Sequence, residues 1–185
     1  MIGIRQAARD DALAIAEVEV ETWRTTYAGI IPHAVLLRMS RKRSAARWRR
    51  RLKEPGERRF VRIAEDAEGG VIGFGTCGCA DTLELDYEGE IYELYVHPDH
   101  QNGGVGRSLL HVLFQTLLSH GRRSALIWVL AENPSRFFYE AMGGRRVAVR
   151  NECLFGAGLS ETAYGWPNLE RALAEADHSV PIERR

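Results

Sequence analysis

The sequence lacks the features that would place it in several broad classes of protein. Its 25 basic and 25 acidic residues give a formal net charge of zero, so no overall field favours nucleic acid or a membrane surface. No apolar run reaches the roughly 18 residues that a membrane-spanning helix requires, and the N-terminus has no apolar segment of secretory length. The three cysteines are an odd number, which argues against a disulfide framework. We therefore expect a cytoplasmic protein without a membrane span.

Charge is unevenly distributed along the chain. Residues 38–59 hold eleven basic residues, whereas residues 81–93 hold six acids and no base. Ala45, Trp48 and Leu52 form an apolar stripe at helical spacing within the basic run, which indicates the solvated face of a helix. Nucleic-acid binding is a weaker hypothesis, because no recognition module accompanies the run. The acidic stretch either favours a cationic amine or is a solvated loop.

The hydrophobic pattern predicts one layered domain at residues 1–166, followed by a C-terminal helix and frayed tail at 167–185. A first strand is followed by two or three helices, a meander of three strands, a helix, a strand, a helix and two last strands. The predicted strands are 2–5, 60–64, 71–79, 90–96, 125–130, 147–155 and 159–166. This order predicts an α/β (α+β) fold, in which helices cover a mixed sheet.

A glycine-rich loop joins the strand that ends at Val96 to the helix that starts near Val105. Its residues are Gln101-Asn102-Gly103-Gly104-Val105-Gly106. Backbone N–H groups at a helix start, together with the helix dipole, suit phosphate oxygens, and glycines permit a close approach. The alternative is a tight turn that binds nothing. Arg107-Ser108 excludes a Walker motif, and Leu109 stands where the dinucleotide fingerprint needs its third glycine.

The loop fits the pattern Q-x-x-G-x-G and resembles the acetyl-CoA motif of the GNAT superfamily of N-acetyltransferases. A second segment, ENPSRFFYEAMGG, resembles the family's signature of Asn133, Tyr139 and a glycine turn at Gly143. It departs from that signature at Arg136, where a small residue is frequent, and at Gly144, where a Phe is frequent. A third segment, ETWRTTYAGIIPHAVL, looks like the first helices of one GNAT subgroup. The resemblance covers roughly residues 1–166.

The resemblance implies a mixed, mostly antiparallel sheet of about seven strands, flanked by helices on both faces and splayed between strands 4 and 5. It also implies acetyl-CoA as the co-substrate, with its pyrophosphate at the glycine-rich loop. The residues implied to bind the coenzyme are Leu94, Tyr95, Val96, Gln101, Asn102, Gly103, Gly104, Val105, Gly106, Arg107, Ser108, Asn133 and Tyr139.

Acyl transfer from a thioester to an amine needs a base, a stabilised oxyanion and a protonated leaving thiolate. The resemblance implies Glu90 as the base, and Glu93 ranks second because it has the opposite strand parity unless a bulge intervenes. It also implies the backbone N–H of Val96 as the oxyanion donor and Tyr139 as the proton donor. A packing role is the alternative for Tyr139, and Asn133 binds either pantetheine or the helix start.

The acceptor side of the site is less defined. Trp23 and Tyr27 are candidate wall residues, although a core role suits Trp23 equally well. Cys77-x-Cys79 with His97 and His100 could suggest zinc, but alternate cysteines on a strand favour packing, so no metal is predicted. The predicted function is N-acetyl transfer from acetyl-CoA to an amine, by direct attack. The alternative is a non-catalytic acyl-CoA-binding or sensing domain, and a homodimer is left open.

Overall fold

A computed structural model describes residues 2–53, 59–81 and 85–177. In these ranges the elements are β1 Gly3–Gln6, α1 Ala12–Thr26, α2 His33–Arg38, α3 Arg41–Lys53, β2 Arg59–Glu65, β3 Val71–Cys79, β4 Gly89–Val96, α4 Val105–Ser119, β5 Ala125–Leu130, α5 Arg136–Ala141, β6 Arg145–Leu154, β7 Ala157–Trp166 and α6 Leu169–Asp177. The predicted frayed tail lies outside the described residues.

The strands form one seven-stranded sheet in the order β1-β2-β3-β4-β5-β7-β6. Only the central β4–β5 pair is parallel among these described strands, and the other neighbours run antiparallel. A parallel pair needs a long crossover connection, which the loop and helix α4 provide. The predicted fold class, a mostly antiparallel sheet of about seven strands covered by helices, is confirmed.

Strands β4 and β5 separate soon after they begin. Among the described residues their ladder holds only two pairs, Gly89–Ala125 and Glu90–Leu126. Both strands continue beyond these pairs, β4 to Val96 and β5 to Leu130. The predicted splay is therefore present, and each strand turns one edge toward the opening between them.

Strand β4 contains a bulge at Tyr92, because its pairing with β3 passes from Ile91 directly to Glu93. Three residues apart on a regular strand, Glu90 and Glu93 would lie on opposite faces. A bulge adds one residue and changes that alternation. Both carboxylates therefore lie on the same face of the sheet.

Helices bury both faces of the sheet. Helix α4 packs on one face, in a cluster whose buried members include Cys77, Ile91, Leu110, Leu113, Phe114, Leu117, Ile127, Val129, Tyr164 and Trp166. Helix α6 extends this cluster through Leu169 and Leu173. Helices α1 and α3 cover the other face, with Ile15, Ala16, Ala45, Trp48, Ile63 and Phe74 among the buried members.

A buried carboxylate joins α1 to α3. The Glu19 side chain is 6% exposed and accepts hydrogen bonds from Ser44 Oγ, from Arg47 Nη2 at 2.6 and 2.7 Å, and from Trp48 Nε1 at 3.2 Å. A carboxylate at such a depth is tolerated only when it is paired and hydrogen-bonded. These contacts therefore fix the position of α3, the helix that carries Arg51 toward Glu93.

Replacing this carboxylate tests the α1–α3 contact. We expect Glu19→Ala to lower the free energy of unfolding by about 2–4 kcal/mol, because it leaves buried donors without an acceptor. That loss corresponds to a fall in Tm of about 4–16 °C for a chain of this size, measured by circular dichroism.

Glu17→Ala is the matched control on the same helix. Glu17 is 49% exposed and pairs with Arg41 at 2.9 Å, so its loss should cost less than about 1 kcal/mol. Equal destabilisation by both variants would contradict the structural role given to Glu19.

Candidate functional site

A cavity of about 670 Å³ lies where β4 and β5 separate. Its wall comes from α1, the C-terminal half of β4, the loop and first turn of α4, β5, α5 and the β6–β7 hairpin. This volume falls within the roughly 300–1,000 Å³ of small-molecule sites. The charged residues of the described wall are Glu93, Arg107 and Glu161.

The cavity passes through the sheet from one helical layer to the other. On β5, Ile127 and Val129 belong to the cluster beneath α4, so Trp128 between them faces the α1 side. On β4, Leu94 packs toward α4, whereas the neighbouring Glu93 faces α3. We call the two halves the α4 side and the α1 side of the cavity.

The predicted coenzyme-binding residues mostly meet at this cavity. Those in its wall are Leu94, Tyr95, Val96, Gln101, Asn102, Gly104, Gly106, Arg107, Asn133 and Tyr139. Gly103, Val105 and Ser108 lie in the same loop and first helical turn but are not part of the wall. Val105 is instead buried in the core.

The loop before α4 is held in a conformation that favours glycine. Gly104 is the N-terminal cap residue of α4 and has φ of 82°, in the left-handed region that strains other residues. The N–H of Ser108 donates to the carbonyl of Gly104 at 3.0 Å and so begins the helical ladder. The N–H groups of the preceding first-turn residues have no acceptor within the helix, and an anion can receive them.

The edge of β4 presents backbone donors to the opening. The N–H of His97 donates to the carbonyl of Ile72 at 2.9 Å, which makes Gly73–Val96 a pair of the non-hydrogen-bonded kind. The N–H and C=O of Val96 therefore point away from β3, toward the opening. The carbonyl accepts from Thr22 Oγ1 and from Gln101 Nε2, each at 3.1 Å.

The two candidate bases differ in their access to the cavity. Glu93 lines the wall, and its carboxylate accepts from Thr76 Oγ1 at 3.0 Å and pairs with Arg51 Nη1 at 3.3 Å. Glu90 is not part of the wall, and its carboxylate accepts from the backbone N–H of Asp81 at 3.3 Å. Burial raises the pKa of Glu90 above its ordinary value. The geometry thus favours Glu93, the second-ranked residue of the sequence analysis.

Helix α5 brings Tyr139 to the α4 side, and Asn133 lies in the turn before this helix. Tyr139 is 4% exposed and lines the cavity, and burial raises its pKa well above that of a free phenol. Asn133 accepts from the N–H of Ser135 at 2.8 Å through Oδ1 and donates to Tyr27 Oη at 3.4 Å through Nδ2. Of the two roles considered for Asn133, support of the helix start is observed.

The structure shows the surroundings of both departures from the GNAT signature. A Cβ at Gly144 would lie 2.8 Å from both the Trp166 ring and the Tyr139 carbonyl. Trp166 therefore occupies space that a larger residue at position 144 would need. The Arg136 guanidinium donates to the Ala131 carbonyl at 2.8 Å.

Aromatic rings line the α1 side of the cavity. Trp23 and Tyr27 lie there as expected, with ring centroids 4.9 Å apart. Trp128 and Phe155 also line the cavity, and the sequence analysis did not identify either. Trp128 stands in an apolar strand with no distinguishing signal. Phe155 is followed by Gly156, which lies between two predicted strands. A glycine at that place is a weak sign of a hairpin turn.

The structure also bears on metal and membrane binding. Across residues 2–53, 59–81 and 85–177, no three His, Cys, Asp or Glu side chains form a group that could hold a metal ion. Cys77 is fully buried in the core. No helix in the described part of the chain is both long enough and apolar enough to cross a membrane.

Comparison with known proteins defines the family. Residues 70–154 match the model of the FR47-like protein family. The uncharacterised N-acetyltransferase YuaI of Bacillus subtilis is 37% identical over 169 residues, which cover 91% of this chain and 95% of that protein. The chain therefore belongs to the GNAT superfamily of N-acetyltransferases and is an acyltransferase.

Solved structures share the fold at lower identity. A GNAT-family structure from Desulfovibrio desulfuricans has a TM-score of 0.69 and 20% identity, covering 91% of this chain and 99% of that chain. The structure of yncA from Salmonella typhimurium, which contains acetyl-CoA as its cofactor, has a TM-score of 0.66 and 23% identity. It covers 100% of this chain and 99% of that chain.

Proposed function

We propose that this chain transfers an acetyl group from acetyl-CoA to a primary amine by direct attack of the amine on the thioester. The observation that carries the proposal is that one cavity is lined by Glu93, Val96, Tyr139 and the loop at the start of α4. The acetyl-CoA in yncA, a protein with the same fold, supports acetyl-CoA as the coenzyme here.

The α4 side of the cavity suits the coenzyme. The pyrophosphate would accept hydrogen bonds from the N–H groups that begin α4, with the cationic Arg107 in the same wall. The pantetheine amides would pair with the edge of β4 at Leu94 and Val96, as an added strand does. This arrangement carries the thioester through the opening in the sheet, toward Glu93.

The reaction needs three groups around the thioester carbon. Glu93 removes a proton from the ammonium of the acceptor, the lone pair of the resulting amine bonds to the carbonyl carbon, and the Val96 N–H stabilises the oxyanion that forms. The carbon–sulfur bond then breaks as Tyr139 donates a proton to the departing thiolate, and the nitrogen loses its second proton to solvent, from which Tyr139 is reprotonated. The described wall contains no cysteine, and burial raises the pKa of Cys77 to about 12. Both features support direct attack over an acyl-cysteine intermediate.

A side chain introduced at Gly104 tests the role of the loop in coenzyme binding. We expect Gly104→Val to abolish measurable acetyl-CoA binding in calorimetric titration, because a branched residue at φ 82° forces the loop out of its conformation. The N–H groups of α4 then no longer converge on the pyrophosphate.

The control for this variant is Gly121→Val at the other end of α4. Gly121 has φ of 77°, and at both glycines an added Cβ would meet nothing within 4 Å. The two variants should lose similar stability, while Gly121→Val keeps the coenzyme affinity. Equal affinities in both variants, or no affinity in the wild-type chain, would contradict the placement of the coenzyme.

The base is tested by comparing two isosteric variants. Glu93→Gln should lower turnover about 10²-fold or more near neutral pH, as expected for the loss of a general base. The deficit should shrink at high pH, where the amine deprotonates unaided. Glu90→Gln should have a smaller effect because Glu90 lies outside the cavity wall. The pH–rate profiles of both variants measure this, and the reverse ranking would return the role to Glu90.

The acid is tested by removing one oxygen. The pKa of Tyr139 is raised, so its phenol keeps the proton through neutral and mildly alkaline pH. Tyr139→Phe should therefore lower kcat by about 10²-fold. This reduction should be the same at every pH from 7 to 9. Acetyl-CoA affinity should stay near the wild-type value, since the lost interaction belongs to the transition state. Unchanged turnover would leave Tyr139 a packing residue.

A further inference from the structure

The turn between β6 and β7 holds an aromatic residue in an unfavourable conformation. Leu154 pairs with Ala157, so Phe155 and Gly156 form a two-residue hairpin turn, with φ of 56° and 77°. Positive φ at both central residues defines a type I′ turn, whose first position favours Asn, Asp or Gly. A bulky residue in that region is an outlier. The local backbone therefore does not explain the choice of phenylalanine.

The position of the ring offers an explanation. Phe155 lines the α1 side of the cavity and meets Trp23 edge to face, with ring centroids 5.9 Å apart at 87°. Phe155 as a whole residue is still 47% exposed, so it is not buried as core packing. Strained residues that persist in a fold are frequent at ligand sites. Phe155 thus brings the hairpin tip into contact with Trp23 of α1 in the cavity wall.

Of the two carboxylates in the cavity wall on the α1 side, one is available to bind an amine. Glu161 is already neutralised by Arg150, whose Nε and Nη2 both lie 2.7 Å from Oε2. The Arg150 guanidinium also stacks on the Trp128 ring at 4.1 Å. Glu93 has a single, longer ion pair of 3.3 Å with Arg51. The α1 side therefore offers one available carboxylate within a largely aromatic wall.

We propose that the acceptor is a monoamine carried on an aromatic or flat apolar body, and that Phe155 is a specificity-determining residue for it. The body packs against the joined rings of Phe155 and Trp23, while the amine reaches Glu93. Aromatic side chains bind such groups through large apolar contacts and edge-to-face geometry. This inference rests on the proposed acetyl transfer, whose site it extends to the acceptor.

The test compares two amines and two variants of the hairpin residue. With acetyl-CoA saturating, kcat/KM is measured for 2-phenylethylamine and for propylamine, which lacks the ring. The wild-type chain should prefer 2-phenylethylamine by about tenfold or more, the scale of one well-packed aromatic contact. Phe155→Asn should remove most of that preference and change kcat/KM for propylamine by less than about twofold.

Stability measurements separate a binding role from a structural one. Asn suits the left-handed position, so Phe155→Asn should leave Tm unchanged or raise it while specificity falls. Phe155→Tyr keeps the ring and should retain the preference for 2-phenylethylamine. A variant that loses activity toward both amines by the same factor would overturn the proposal.

The remaining outcomes separate this proposal from acetyl transfer itself. Equal wild-type kcat/KM for both amines, or a higher value for 1,4-diaminobutane, would overturn the aromatic acceptor and leave amine acetylation standing. Absence of acetylation of every amine tested would overturn both.

Discussion

The end of the β4–β5 ladder at Glu90–Leu126 is the constraint on which the site depends. Strand β4 stays paired with β3 up to Val96, and β5 stays paired with β7 up to Leu130, so each half of the sheet is complete by itself. The bulge at Tyr92 follows the last β4–β5 pair along β4, and bulges bend a strand and increase its twist. The two halves of the sheet diverge from that point and leave a cavity between them. The unpaired edge of β4 forms part of its wall.

That geometry separates the two halves of the proposed reaction while keeping them in contact. The α4 side provides backbone donors and one cation, which suit a phosphate-bearing coenzyme. The α1 side provides aromatic rings and one available carboxylate. Arg51 links this carboxylate to α3, and α3 is held to α1 by the buried Glu19. A contact distant from the chemistry therefore sets the surroundings of the candidate base.

The sequence predicts the elements and their order well, because strong periodicity and glycine or proline signals bound each one. The β3 and β5 limits were predicted to the residue, and the loop at Gly104 was identified as the anion site candidate. The alternation of side chains along the strand could not show on which face of the sheet Glu93 lies, since a bulge carries no clear sequence signal. The hairpin position of Phe155 was missed, since the predicted strand 147–155 included this residue as its last. Space filled by Trp166, far along the chain, explains the glycine at position 144.

The most direct measurement is amide hydrogen exchange of β4 by NMR, with and without acetyl-CoA. We expect acetyl-CoA to protect the N–H groups of Val96 and Leu94, because both point into the opening where pantetheine would pair. The N–H of Tyr95 should be unaffected, since alternation along the ladder directs it to β3. Coenzyme binding that leaves the exchange of Val96 and Leu94 unchanged would contradict the pairing of pantetheine with the edge of β4.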